Sequence, residues 1–138
     1  MSSRVTSGPL SQQEGKKKKV LFVDNEPDTT TMLKMALECV GFSIDTFNDP
    51  LLALKSFKPN LYDLVMLDVM MPKMNGFELY EQLKRADPDT KVCFLTASDE
   101  TYREELRKER YCELNRNLFL EMPLPIKEII DEIMKRIE

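Results

Sequence analysis

Histidine is absent from all 138 residues of the chain. Its absence removes a Ser-His-Asp triad, a Cys–His dyad, a histidine-ligated metal and any phosphohistidine carried by this chain itself. Cysteine is scarce: Cys39, Cys93 and Cys112 are an odd number with no CxxC spacing, which argues against a zinc site and a disulfide framework. In apolar or helical surroundings such thiols read as small buried hydrophobes in a reducing compartment. Glycine is scarce too, with only Gly41 and Gly76 beyond the first nineteen residues. There is therefore no GxGxxG and no Walker loop to cradle a nucleotide. No apolar run approaches the roughly 20 residues that a membrane span needs. The N-terminus also lacks the hydrophobic core of a secretion signal. These absences lead us to expect a cytoplasmic protein with no membrane partner.

What is present fits one soluble domain: 42% hydrophobic residues, 32% charged, and a net charge of −4. The charge is unevenly spread. Residues 1–19 carry five basic residues against Glu14, a net of +4, which leaves −8 for Val20 to Glu138. Residues 1–18 are rich in Ser, Gln and Gly with almost no apolar periodicity, so they are expected to form a disordered basic arm. The lysine run at 16–19 reads most simply as a solvated lead-in to the first strand. The acidic remainder argues against nucleic acid as the main partner. Residues 19–138 are expected to form the folded domain.

Along that domain, short apolar runs alternate with helical stretches. Val20-Leu21-Phe22-Val23 ends in acids, and a helix opened by Pro27-Asp28 closes at Gly41, the usual place for a C-cap glycine. Ser43 to Phe47 alternates as a strand does, and Asn48-Asp49-Pro50 caps a short helix before Pro59. Leu64 to Leu67 forms a third strand with Asp68 at its end, and Phe77 to Ala86 a helix stopped by Asp87-Pro88. Val92 to Leu95 ends in Thr96, a charged helical stretch runs from Asp99 to Leu114, and Leu118 to Leu120 forms the fifth strand. In the last helix Ile126, Ile129, Ile130, Ile133, Met134 and Ile137 share one face. Strands that are apolar throughout indicate a sheet covered on both sides. The expected fold is therefore α/β: a doubly wound, five-stranded parallel sheet flanked by five helices.

In such folds the site lies at the C-terminal ends of the strands, near the switch in strand order. Those ends carry Asp24, Asn25 and Glu26 after the first strand, Asp68 after the third, and Thr96 after the fourth. A single such acid is often just a helix N-cap. Two acids projecting into one crevice would repel each other without a cation, and hard oxygen ligands with no histidine or paired cysteine suit Mg²⁺. An aspartate can itself accept a phosphoryl group, which Mg²⁺ and a strand-end hydroxyl would neutralise and bind.

Val23-Asp24-Asn25-Glu26, the stretch Asp68-Val69-Met70-Met71-Pro72-Lys73-Met74-Asn75-Gly76, and Leu95-Thr96-Ala97 together resemble the receiver domain of two-component response regulators. The resemblance covers about residues 19 to 138 and implies a flavodoxin-like, receiver-type fold. It implies that Asp68 is the phosphoacceptor and that Asp24, Asn25, Asp68 and the backbone carbonyl of Met70 hold Mg²⁺. Thr96 stands where the family has the hydroxyl that binds the phosphoryl group and moves on activation. Phe119 matches the aromatic switch residue, and Pro123 the proline that follows a cis peptide bond.

Two positions depart from the family pattern. Asn25 replaces the second acid, and Met122 occupies the lysine position, so the ammonium that would pair with the phosphoryl group is missing. Weaker Mg²⁺ binding and altered signalling are the expected consequences. The segment between Thr96 and Met122 is also longer than the resemblance leads one to expect, and its Asp99–Arg110 stretch is almost entirely charged.

The leading reading is a stand-alone receiver phosphorylated on Asp68 by a partner histidine kinase or phosphotransfer protein. It would signal by contact with a downstream protein, with a homodimer as one arrangement. It would be no enzyme beyond transfer to and hydrolysis from Asp68. The alternative is a pseudo-receiver that acts as a phosphorylation-independent interaction module. A phosphatase of the haloacid-dehalogenase kind is disfavoured because Met70 stands where the second acid is needed.

Overall fold

The computed structural model of the chain describes residues 17–97 and 118–138. Five strands form one parallel sheet: β1 (Lys19–Val23), β2 (Ser43–Phe47), β3 (Leu64–Asp68), β4 (Val92–Ala97) and β5 (Phe119–Met122). Their spatial order is β2-β1-β3-β4-β5. Four helices lie among the described residues: α1 (Pro27–Cys39), α2 (Pro50–Ser56), α3 (Gly76–Ala86) and α4 (Ile126–Ile137). The helix expected over Asp99–Leu114, and the arm up to residue 16, lie outside the described residues.

Burial follows strand position. All five residues of central β3 are buried, whereas edge strand β2 buries only Ile44. That contrast is why β3 reads as a continuous apolar run and β2 as an alternation. Each helix boundary has a local cause. Pro27 opens α1, and Gly41 follows it with a φ of 100°, a left-handed conformation that costs glycine little. The Asp49 side chain accepts from the Leu51 N–H at 2.9 Å and caps α2. Asn75 and Glu78 form a reciprocal capping box on α3, with both bonds at 2.9 Å.

The sheet separates two cores. On one side Val20, Phe22, Leu33, Leu37, Ile129 and Ile133 pack with the half-buried Ile126, Ile130, Met134 and Ile137, so the apolar stripe of α4 lies where its spacing places it. On the other side Leu21, Val65 and Leu67 pack against α2 and α3 with an aromatic group. In that group Phe94 lies 4.9 Å from Phe77, 5.4 Å from Tyr80 and 5.3 Å from Phe119, measured between ring centroids. Cys93 is buried as expected, and burial pushes its thiol up to about 11. Cys39 differs: it is exposed, because α1 buries the face carrying Leu33 and Leu37 and turns Met32, Met35 and Cys39 outward.

Candidate functional site

The strand order reverses between β1 and β3, and the two acids sit at that crevice. Asp68 is the last residue of β3 and Asp24 follows the last residue of β1, with Val23 paired to Leu67 in register. Both residues are only 8% exposed, and their carboxyls lie within interacting reach of each other. Moving a carboxylate out of water disfavours its charged form. Consistent with this, the Asp24 carboxyl is held above its ordinary range, mainly by burial and also by the nearby Glu26 charge. The Glu26 N–H, bonded to Asp24 Oδ1 at 2.9 Å, pulls the other way, as does the contact with Asp68.

Neither acid is spent on capping a helix. The N-cap of α1 is Glu26, which makes no side-chain cap bond. Asp68 Oδ1 accepts from the Met70 N–H at 3.3 Å, within its own turn. The N-cap explanation for these strand-end acids therefore fails for both.

Thr96 lies on β4, one residue past Leu95, the register partner of Asp68, and is 6% exposed. Asn25 is half-buried beside Asp24, and Glu26 is exposed. Among the described residues no cluster of three acids, cysteines or histidines is present that could hold a metal. The oxygen donors at the strand ends are two carboxylates, the Asn25 amide and backbone carbonyls, a set of hard ligands.

The two β5 residues singled out in the sequence lie on opposite sides of the sheet. Phe119 is half-buried in the aromatic core beside Phe94 and Phe77, the latter at 6.1 Å. Met122 packs against the other core, with the isoleucines of α4. The Met122–Pro123 peptide is cis. Lys127, the nearest cation after the lysine position, is exposed on α4.

Two positioning residues carry more than the sequence indicated. Asn48, expected as a capping residue, donates through its amide to the Asp24 carbonyl at 2.7 Å and to Thr30 Oγ1 at 3.0 Å. It thereby ties the acid-bearing turn to α1 and to the β2 end. Gly76 is the second. A Cβ built there would lie 2.5 Å from the Asp68 carbonyl oxygen, closer than side-chain carbons come to any atom. The Gly76 N–H also donates to the Val69 carbonyl at 3.0 Å. Between them, the Met74 N–H reaches the Pro72 carbonyl at 2.8 Å around Lys73, whose φ of 72° marks a strained γ-turn. This tight loop lays the start of α3 directly on the backbone of Asp68.

Strand order, a core on each side of the sheet and a site at the switch point define a doubly wound α/β protein of flavodoxin-like topology. The family model described as the response regulator receiver domain matches residues 20–134, and the chain belongs to that family. Receiver domains are signalling modules of two-component systems. The chain is similar to the alkaline phosphatase synthesis transcriptional regulatory protein PhoP of Bacillus subtilis, 34% identical over 124 residues, covering 88% of this chain and 50% of that protein. It is 35% identical over 115 residues to the transcriptional regulatory protein CpxR homolog of Haemophilus influenzae, covering 83% of this chain and 48% of that protein. The chain thus spans about half the length of these curated relatives. Among solved structures, the non-phosphorylated HemR receiver domain of Leptospira biflexa matches with a TM-score of 0.72 at 27% identity, covering 88% of this chain and 95% of that one.

Proposed function

We propose that Asp68 accepts a phosphoryl group from a phosphohistidine on a kinase or phosphotransfer protein, and that the receiver then signals by protein–protein contact. The observation that most supports this reading is the pair of buried carboxyls, Asp24 and Asp68, touching at the ends of neighbouring strands. An Asp68 carboxylate oxygen attacks phosphorus, the P–N bond to the donor imidazole breaks, and its electron pair stays on the ring nitrogen. With no histidine of its own, this chain depends on another protein for that donor. The Thr96 hydroxyl donates to a phosphoryl oxygen.

The donor set fits Mg²⁺, held by the carboxylates of Asp24 and Asp68, the Asn25 amide oxygen and the Met70 carbonyl. Burial holds the Asp24 carboxyl above its ordinary range, and a cation would offset the cost of burying its charge. Bound there, Mg²⁺ supplies positive charge against the phosphoryl oxygens. Asn25 contributes an oxygen without a charge, so affinity for the metal is lower than a third carboxylate would give.

One feature favours the phosphorylation-independent module as a second reading. Met122 is packed against the aliphatic core and brings no cation to the site. Incubation with Mg²⁺ and acetyl phosphate, read by intact mass, separates the two. One phosphoryl adduct that vanishes in Asp68→Asn is the expected result. Absence of any adduct on the intact chain selects the module instead.

A further inference from the structure

The end of the sheet opposite the acids holds a cavity of about 230 Å³. It opens between the first residues of β3 and β4 and the last turns of α3 and α4, with Leu64, Tyr80, Lys84, Thr90, Lys91 and Arg136 in its wall. Leu64 and Asp68 are the two ends of β3, so at about 3.3 Å per residue the cavity lies roughly 13 Å from the carboxylates.

Three wall residues are cationic and none is acidic, on a stretch of chain that carries −8 overall. The two lysines have no carboxylate partner among the described residues. Lys84 Nζ donates to the carbonyls of Pro88 at 2.6 Å and Thr90 at 3.5 Å. Lys91 Nζ donates to the carbonyls of Arg136 and Ile137 at 3.3 and 3.2 Å. Asp87 does not offset them directly, because its carboxylate accepts the N–H groups of Asn60 at 2.8 Å and Asp89 at 3.2 Å. Arg136 alone is paired, with Glu132 at 2.6 Å.

Thr90 supplies a second, independent signal. It is 6% exposed, yet its hydroxyl oxygen is buried without a hydrogen-bond partner among the described residues. Buried hydroxyls in native proteins are nearly always bonded, so a χ1 turn that brings the Thr90 hydroxyl into the cavity would give this orphan a partner on a ligand. The remaining wall is apolar, formed by Leu64, Val92, Leu118 and the Tyr80 ring. The volume is below the roughly 300–1,000 Å³ of pockets for drug-sized ligands, so a dinucleotide does not fit.

We propose that this cavity binds a small phosphate monoester carrying a compact apolar group. Lys84 and Lys91 face the charged head, Thr90 donates its hydroxyl to it, and Tyr80 and the aliphatic wall take the body. With Glu132 set against Arg136, the two lysines match a dianion better than a monocarboxylate.

The test titrates the full chain with phenyl phosphate in Mg²⁺-free buffer, read by amide NMR. Saturable shifts at Thr90, Lys91, Val92 and Leu118 by about 10 mM are expected, with the amides of Asp24, Asp68 and Thr96 unmoved. Benzoate and inorganic phosphate should each bind more weakly. Lys84→Gln and Lys91→Gln should each weaken binding about tenfold. Thr90→Val, which keeps the side-chain shape, should weaken it about threefold with the rest of the spectrum unchanged. Shifts scattered over all surface lysines overturn the proposal. So does affinity that survives Thr90→Val and both lysine changes, or inorganic phosphate binding as tightly as phenyl phosphate.

Discussion

At the C-terminal ends of β1 and β3 two carboxyls are buried against each other, whereas at the N-terminal ends of β3 and β4 three cationic side chains line a cavity. Both ends concentrate charge of one sign, but they use it differently. The carboxyls of Asp24 and Asp68 take N–H bonds within their own turns, from Glu26 and Met70, and burial still holds Asp24 above its ordinary range. Lys84 grips carbonyls of the loop beyond α3, and Lys91 grips carbonyls at the end of α4 that a helix leaves without intrahelical partners. Charge at the acid end works against the metal-free fold, and charge at the basic end supports it. Removing a charge should therefore change stability with opposite sign at the two ends.

The largest expected effect disturbs the acid end through its backbone. Gly76→Ala forces a methyl group against the Asp68 carbonyl oxygen and should cost about 3 kcal/mol in urea unfolding. A cost below about 1 kcal/mol would mean that the loop from Val69 to Asn75 yields freely. Next comes the sign test at the same end. Without Mg²⁺, Asp24→Asn should be more stable than the natural chain by about 1–2 kcal/mol, a rise of several degrees in Tm. Added Mg²⁺ should then stabilise the natural chain more than the variant.

That difference also has a defined pH dependence. The folded-state value of Asp24 lies above its ordinary 3.8, so the folded chain holds this proton more tightly than the unfolded chain. The stability it contributes is full below 3.8 and is lost as pH rises through the raised value. The advantage of Asp24→Asn should accordingly grow with pH over that window and then level off. An advantage that stays flat from pH 3 to 7 would contradict the burial argument.

The smallest effect tests the basic end. Lys91→Ala frees the carbonyls of Arg136 and Ile137 and should lower stability by about 0.5–1 kcal/mol in thermal unfolding. A gain would abolish the contrast between the two ends.

Most of this architecture was legible residue by residue. The apolar runs at Val20, Leu64 and Val92 are strands because central parallel strands are buried on both faces. Pro27, Gly41, Asp49 and Asp87-Pro88 mark helix limits through local backbone chemistry, which needs no tertiary information. The strand-end rule then placed Asp24, Asp68 and Thr96 near one another, and register confirms their common level on the sheet. The fifth strand proved one residue later and longer than its apolar run, since pairing with β4 carries it on to Met122.

What stayed hidden depends on long-range contact. Asn48 reads as a cap residue, and nothing local announces a bond to the carbonyl of a residue 24 positions earlier. Gly76 is visible as part of a motif, but its reason lies in an approach to the Asp68 backbone that no spacing encodes. The basic cavity gathers Lys84, Thr90, Lys91 and Arg136 from two helices, a loop and a strand edge. Their spacing has no period that sequence inspection could detect.

The two cores have a further consequence during synthesis. The aromatic core is built largely from residues between Leu21 and Phe94, whereas its aliphatic counterpart joins Val20 to Ile133. At about 5–20 residues per second, roughly 2–8 seconds separate translation of Phe94 from that of Ile133. Through that interval the nascent chain carries one apolar sheet surface without its last helix. A ribosome-bound intermediate should therefore recruit holdase chaperones to the α1 side of the sheet, and release them when α4 emerges.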